Sequence, residues 1–152
     1  MTSASHPPPS PAMLRRYNLF SGLFDPQLER LLPLLLVESH PAETIIVREG
    51  QLGNRMWCIV DGQVEVSRGH DGGIVLARLG AGETIGEMEL IDMQPRSSTV
   101  TALTPCVLYS LLLRDLINLQ QTDLPTYSAM ILNVARDLSR RLRQMDAAVS
   151  KM

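Results

Sequence analysis

The chain has 152 residues, 45% of them hydrophobic and 20% charged, with a formal net charge of −2. That length suits one domain with a real core, and the slightly acidic balance excludes a general nucleic-acid binder, whose footprint is basic. No apolar run reaches the ~18 residues a membrane span needs, the N-terminus lacks the layout of a secretion signal, and Cys58 and Cys106 sit in apolar, strand-like surroundings that suit buried thiols in a cytoplasmic protein.

Residues 1–13 carry Pro7-Pro8-Pro9 and Pro11 and predict a disordered tail, with a single domain over 14–152. Helices are expected over about 14–36. The first runs from Leu14 toward Phe20. The second has Asp25 as its cap and Pro26 at its first position, carries Leu28, Leu31 and Leu32, and ends near Pro33. From Val37 to about Leu112 the pattern changes. Short apolar or alternating runs, Thr44–Arg48, Met56–Val60, Gln63–Ser67, Ile74–Leu79, Ser98–Leu103 and Val107–Leu112, are separated by glycine-bearing breaks. Strands at that spacing predict a mainly β fold, an antiparallel β-roll or jelly roll with flanking helices. Gly69–Gly73 reads as a hairpin loop.

Helices return over about 113–150. Leu113–Gln120 is short. Asp123-Leu124-Pro125 then opens a long helix from Thr126 to about Ser150. Along it Ile131, Ala135, Leu138, Leu142, Met145 and Val149 fall at spacings of 4, 3, 4, 3 and 4, an a/d seam. The opposite face carries Arg136, Asp137, Arg140, Arg141 and Arg143. Two arrangements satisfy the stripe: packing on the chain's own barrel, which an amphipathic helix does by default, or parallel self-pairing into a homodimer. The narrowness of the stripe favours the second.

The stretch Gly86–Val100, G-E-M-E-L-I-D-M-Q-P-R-S-S-T-V, carries the chemistry. A helical turn opening after Gly86 aims unpaired backbone N–H groups and a positive dipole end at one point. Arg96 is suited to clamp a phosphate with two parallel hydrogen bonds, and the hydroxyls of Ser97 and Ser98 add donors. Glu87, which only accepts when ionised, suits a sugar hydroxyl rather than a phosphate. Taken alone, a Pro-Arg-Ser is usually a solvated turn.

The combined pattern resembles the phosphate-binding cassette of cyclic nucleotide-binding domains, the β-roll family of catabolite activator proteins, protein kinase A regulatory subunits and cyclic nucleotide-gated channels. The resemblance runs from about Leu19 to Val149 and rests also on Glu49-Gly50, Gly53-Asn54, Met56-Trp57, Ile59, Gly62, Val64, Val66 and Gly82. It implies that Gly86, Glu87, Met88, Arg96, Ser97 and Ser98 surround a cyclic phosphate and ribose, with Val66 and Leu76 flanking the base. In the catabolite-activator branch the long helix reaches the purine, which places Met145 and Asp146 there. In other branches an arginine of this helix covers the base, a role open to Arg136, Arg140 or Arg143. Two residues depart from the family pattern: Glu89 replaces a small residue, and Asn54 replaces the usual aspartate.

The function implied is a non-enzymatic cyclic nucleotide sensor, for cAMP rather than cGMP, that moves its terminal helices and acts on a separate, unidentified partner protein. The alternative is a scaffold or dimerisation module of the same fold that lost its ligand, which a second carboxylate at Glu89 would favour. No cofactor or metal is expected, since His6, His40 and His70 are far apart in the chain. The chain ends just after the long helix, so no helix-turn-helix module is expected. Removing Arg96 is expected to abolish binding and to leave the melting temperature nearly unchanged.

Overall fold

A computed structural model of the chain describes residues 9–69 and 73–151, without the side chains of residues 89 and 90. The start of the expected tail, His6, His70 and most of the expected hairpin loop lie outside the described residues.

Helix begins earlier than the sequence predicts. Ser10 caps a short helix, α1 (Pro11–Leu14), its hydroxyl accepting from the Met13 N–H at 3.3 Å. A 3-10 turn (Asn18–Phe20), α2 (Asp25–Leu31) and a second 3-10 turn (Leu32–Leu34) follow. The cap of α2 is Phe24, not Asp25. The Phe24 N–H is taken by the Gln27 side chain at 2.9 Å, which leaves Asp25 in the first turn, where a negative charge meets the helix dipole favourably.

Among the described residues eight strands form two antiparallel four-stranded sheets, so the β-roll with flanking helices is as expected. They are β1 (Leu36–His40), β2 (Ile45–Val47), β3 (Arg55–Asp61), β4 (Val64–Arg68), β5 (Ile74–Leu79), β6 (Thr84–Ile85), β7 (Thr99–Ala102) and β8 (Cys106–Leu112). One sheet runs β1-β8-β3-β6 and the other β2-β7-β4-β5. Successive side chains of a strand point to opposite faces. In β3, Trp57 and Ile59 turn toward the second sheet, while Met56 and Cys58 turn toward the helices. Both faces are covered, so β3 and β8 read as continuous apolar runs rather than as alternation. Burial drives the Cys58 thiol up to about 12, which makes it inert.

Between β6 and β7 lies α3 (Glu87–Asp92); after β8 come α4 (Leu113–Thr122) and α5 (Leu124–Ser150). Asp123 caps α5 and also accepts from Arg30 of α2 at 2.9 Å. Hydrogen bonds from Thr126 and Arg30 hold its carboxyl below the usual carboxylate range. The first half of α5 packs Met130, Asn133, Val134 and Asp137 inward, and residues 142–150 are exposed. Asn133 donates to the carbonyls of Leu19 and Ser21 at 2.9 and 2.8 Å, which ties α5 to the N-terminal segment. No described helix is long and apolar enough to cross a membrane.

Candidate functional site

Gly86 is the N-cap of α3 with φ +79°, a left-handed conformation that favours glycine. A Cβ there would also lie 2.9 Å from both Trp57 Cζ3 and Arg96 Nη1, so conformation and space exclude a side chain together. The expected glycine-opened turn is therefore present, followed by a helix of 6 residues. Its far end is Met93, a non-glycine residue at φ +60°.

Arg96 is 5% exposed. Its backbone is strapped to the loop before β3: its N–H donates to the Gln51 carbonyl at 2.7 Å and its carbonyl accepts from Gly50 at 2.8 Å. Its guanidinium donates to the Gly86 carbonyl and to the Arg55 carbonyl, each at 2.6 Å, and lies 5.5 Å from the centroid of the Trp57 ring. Gly53 leaves the space that this head fills, because a Cβ there would come within 2.2 Å of Arg96 Cζ. Sequence reasoning predicted an unchanged melting temperature on losing Arg96. Removing the side chain would take a donor from two part-buried carbonyls, so a lower melting temperature is expected instead.

Glu87 is 3% exposed and accepts from Arg141 of α5 at 3.0 Å. Arg141 also donates to Asp137 at 2.8 Å and to the Thr84 carbonyl at 2.5 Å. Asp137, 2% exposed, in turn accepts from Asn18 of the first 3-10 turn at 3.1 Å. A polar chain thus runs from the start of α3 through α5 to the N-terminal segment. The sequence puts Asp137 and Arg141 on the charged face opposite the seam and offers Arg136, Arg140 or Arg143 to cover the base. The residue of α5 that reaches Glu87 is Arg141. The available signal was the spacing of Met130, Asn133, Val134 and Asp137, a second stripe beside the Ile131 seam.

The other expected site residues fall as follows. Ser97 and Ser98 are half-buried between Arg96 and β7, and the Ser97 carbonyl accepts from Arg68 at 3.0 Å. Met88 is 48% exposed. Val66 packs against the core between the sheets, opposite Ala77. Leu76, the extra residue of a bulge between β4 and β5, is partly exposed. Met145 and Asp146 lie on the exposed end of α5. The side chain of Glu89 lies outside the described residues. Of the a/d seam, Ile131 and Leu138 are half-buried on the chain's own domain, while Ala135, Leu142, Met145 and Val149 are exposed. Part of the seam is thus spent within the chain, and Leu132 joins the part that is open. A groove of about 240 Å³ lies between Ile91 of α3, its C-cap Met93, Leu116 of α4 and Ile131 of α5. Among the described residues no three His, Cys, Asp or Glu side chains are grouped to hold a metal ion.

Residues 37–123 match the family model of the cyclic nucleotide-binding domain, and the chain belongs to that family. It is 34% identical over 130 residues to the cyclic AMP receptor protein of Thermus thermophilus, a match that covers 84% of this chain and 58% of that protein. The crystal structure of the catabolite activator protein of the same organism superposes with a TM-score of 0.72 at 32% identity, over 88% of this chain and 62% of that one. A cyclic nucleotide-binding domain from Methylobacillus flagellatus reaches a TM-score of 0.81 at 24% identity, over 93% and 81% of the two chains, and shows the shared fold. This chain thus spans little more than half the length of the Thermus receptor protein.

Proposed function

We propose that this chain is a cyclic nucleotide sensor that takes cAMP in preference to cGMP and signals by repositioning its terminal helices. The observation that carries the proposal is the pairing of Arg96 and Glu87 on either side of Gly86, both buried and both oriented by named partners. In this reading Arg96, Ser97, Ser98 and the backbone at Gly86–Met88 face the cyclic phosphate, Glu87 accepts from the ribose 2′-OH, and Val66 and Leu76 flank the base. The preference for cAMP is supported by the name of the Thermus relative. A ribose hydroxyl at Glu87 competes with Arg141, and a ligand that alters that contact biases α5 and, through Asp137 and Asn18, the N-terminal segment. Only such a difference in contacts between two states lets a ligand shift them. The groove beside Ile91 and Met93 supports the reading, since it gives α3 room to move.

The chain acts by binding, without catalysis, cofactor or metal, as a cytoplasmic homodimer. Its open stripe of Leu132, Ala135, Leu142, Met145 and Val149 pairs with a second copy, and the output passes to another protein. The alternative, a scaffold without ligand, is favoured by the Arg141–Glu87 contact, which already occupies the hydroxyl-accepting carboxylate. A thermal-shift titration separates the two. Ligand at about 100 times its Kd adds about 2.7 kcal/mol of stability, or about 5–10 °C for a domain of this size. A shift of that order with cAMP supports the sensor, and none with millimolar cAMP or cGMP supports the scaffold.

A further inference from the structure

We infer that Trp57 is a positioning residue of the Arg96 clamp: its indole, held at its Nε1 edge by Glu38, presents a ring face that helps fix the guanidinium in the plane from which it meets a phosphodiester. The inference rests on the cyclic-nucleotide reading and adds to it a residue that touches no ligand. Trp57 is 6% exposed and lies on β3, two residues beyond Arg55, whose carbonyl takes one guanidinium N–H of Arg96. The guanidinium carbon stands 5.5 Å from the ring centroid. An aromatic face at that range attracts a cation, and more strongly when the pair is desolvated. The six-membered ring also lies under Gly86, whose carbonyl takes the other guanidinium N–H. Two carbonyls and a ring face are thus among the groups that orient the head.

The indole itself is not free to turn. Its Nε1 donates to Glu38 Oε2 at 3.1 Å, and the same oxygen accepts from the Arg55 side chain at 3.0 Å. Glu38 stands on β1 and reaches across β8 to do this. One carboxylate thus ties together the side chain that stacks on Arg96 and the residue whose backbone bonds it. A head held so does not have to be ordered when the ligand arrives, which is how preorganisation raises affinity.

The chain has a single tryptophan, so its emission reports on this position alone. The experiment is calorimetric titration of wild type, Trp57→Leu and Trp57→Phe with cAMP and with cGMP, and fluorescence titration of wild type with cAMP. The expected result is a loss of about tenfold or more in affinity for Trp57→Leu. The loss should be equal for both nucleotides, since both carry the same phosphate. Trp57→Phe, which keeps a ring face and loses the Nε1 donor, should lose about threefold, less than Trp57→Leu, and the wild-type emission change should share the calorimetric midpoint. Equal losses for Trp57→Leu and Trp57→Phe, or a loss confined to one nucleotide, would overturn the role. So would a wild-type emission that ignores bound cAMP. If Trp57→Leu fails to fold, Trp57→Phe and the emission titration still decide. A wild type that binds neither nucleotide removes the underlying reading and this inference together, whereas a wild type that binds and a Trp57→Leu variant that binds equally well removes only this inference.

Discussion

Gly53→Ala should disable the site from a position that contributes no side chain to it. A Cβ at Gly53 falls 2.2 Å from Arg96 Cζ and 2.3 Å from Nε and Nη2. Ordinary contact begins near 3.4 Å, so the guanidinium must retreat by about 1.2 Å (3.4 − 2.2). Its hydrogen bonds to the Gly86 and Arg55 carbonyls, both 2.6 Å, do not survive that displacement. Bonds from a charged donor contribute about 1.5–3 kcal/mol each. Alanine returns about 0.4–1 kcal/mol by restricting the unfolded chain. A net destabilisation of about 2 kcal/mol or more follows, or at least roughly 4–8 °C in Tm for a domain of this size. Loss of the oriented cation should weaken cAMP binding about 10–100-fold. Gly80→Ala is the control: its backbone is ordinary and its nearest neighbour is 3.9 Å away. Differential scanning fluorimetry and calorimetric titration of both variants give the answer. A Gly53→Ala protein that melts and binds like Gly80→Ala would refute the seating of Arg96 against the loop before β3.

Further predictions follow from the same geometry. Arg141→Met removes the cation shared by Glu87 and Asp137, two carboxylates 3% and 2% exposed. Breaking one side of a buried ion pair typically costs about 3–5 kcal/mol, so Tm should fall by roughly 6–12 °C or more, and adding Glu87→Gln with Asp137→Asn should recover part of it. Glu38 sits below its ordinary value of 4.5: burial alone would raise it, and hydrogen bonds from His40, Ser110, Trp57 and Arg55 outweigh that. A depressed carboxylate contributes stability that is present above its unfolded pKa and is lost as pH falls through the folded value. Glu38→Gln should therefore be less stable than wild type at pH 7, with the gap closing below about pH 4.5 in denaturant titrations; a constant gap would contradict the network. Leu142→Asp with Met145→Asp changes side chains 60% and 53% exposed, so the fold should survive while light scattering shows monomer in place of dimer. A wild type already monomeric at high concentration would sink the dimer proposal.

The parts of this molecule that were legible in the sequence are those whose cause is local. The left-handed turn at Gly86 is written in one residue, and the strands of the roll in glycine-broken apolar runs. The long helix is written in Asp123, Pro125 and its periodicity. What was not legible depends on what packs against what. Asp137 and Arg141 stand four apart on a helix, a pattern that on most helices is a solvated ion pair. Here α5 turns that face onto α3 and the first 3-10 turn, so Asp137 becomes interior and Arg141 half-buried. The a/d seam was real as a pattern, but Ile131 and Leu138 face the chain's own α4 and core, because a stripe does not say which partner covers it. Trp57 falls in an apolar strand run and is buried between the sheets; its place beneath Arg96 shows only once Arg96 folds back over it. The cap of α2 moved by one residue because the Gln27 side chain, three positions on, satisfies the Phe24 N–H.

Calorimetric titration with cAMP, run on wild type beside Arg96→Ala, tests the central claim most directly. The account predicts saturable one-site binding by the wild type, weaker binding of cGMP, and no detectable heat with Arg96→Ala, which should also melt lower than wild type. Wild-type protein that stays silent at millimolar cAMP and cGMP, or an Arg96→Ala variant that binds as tightly as wild type, would contradict it.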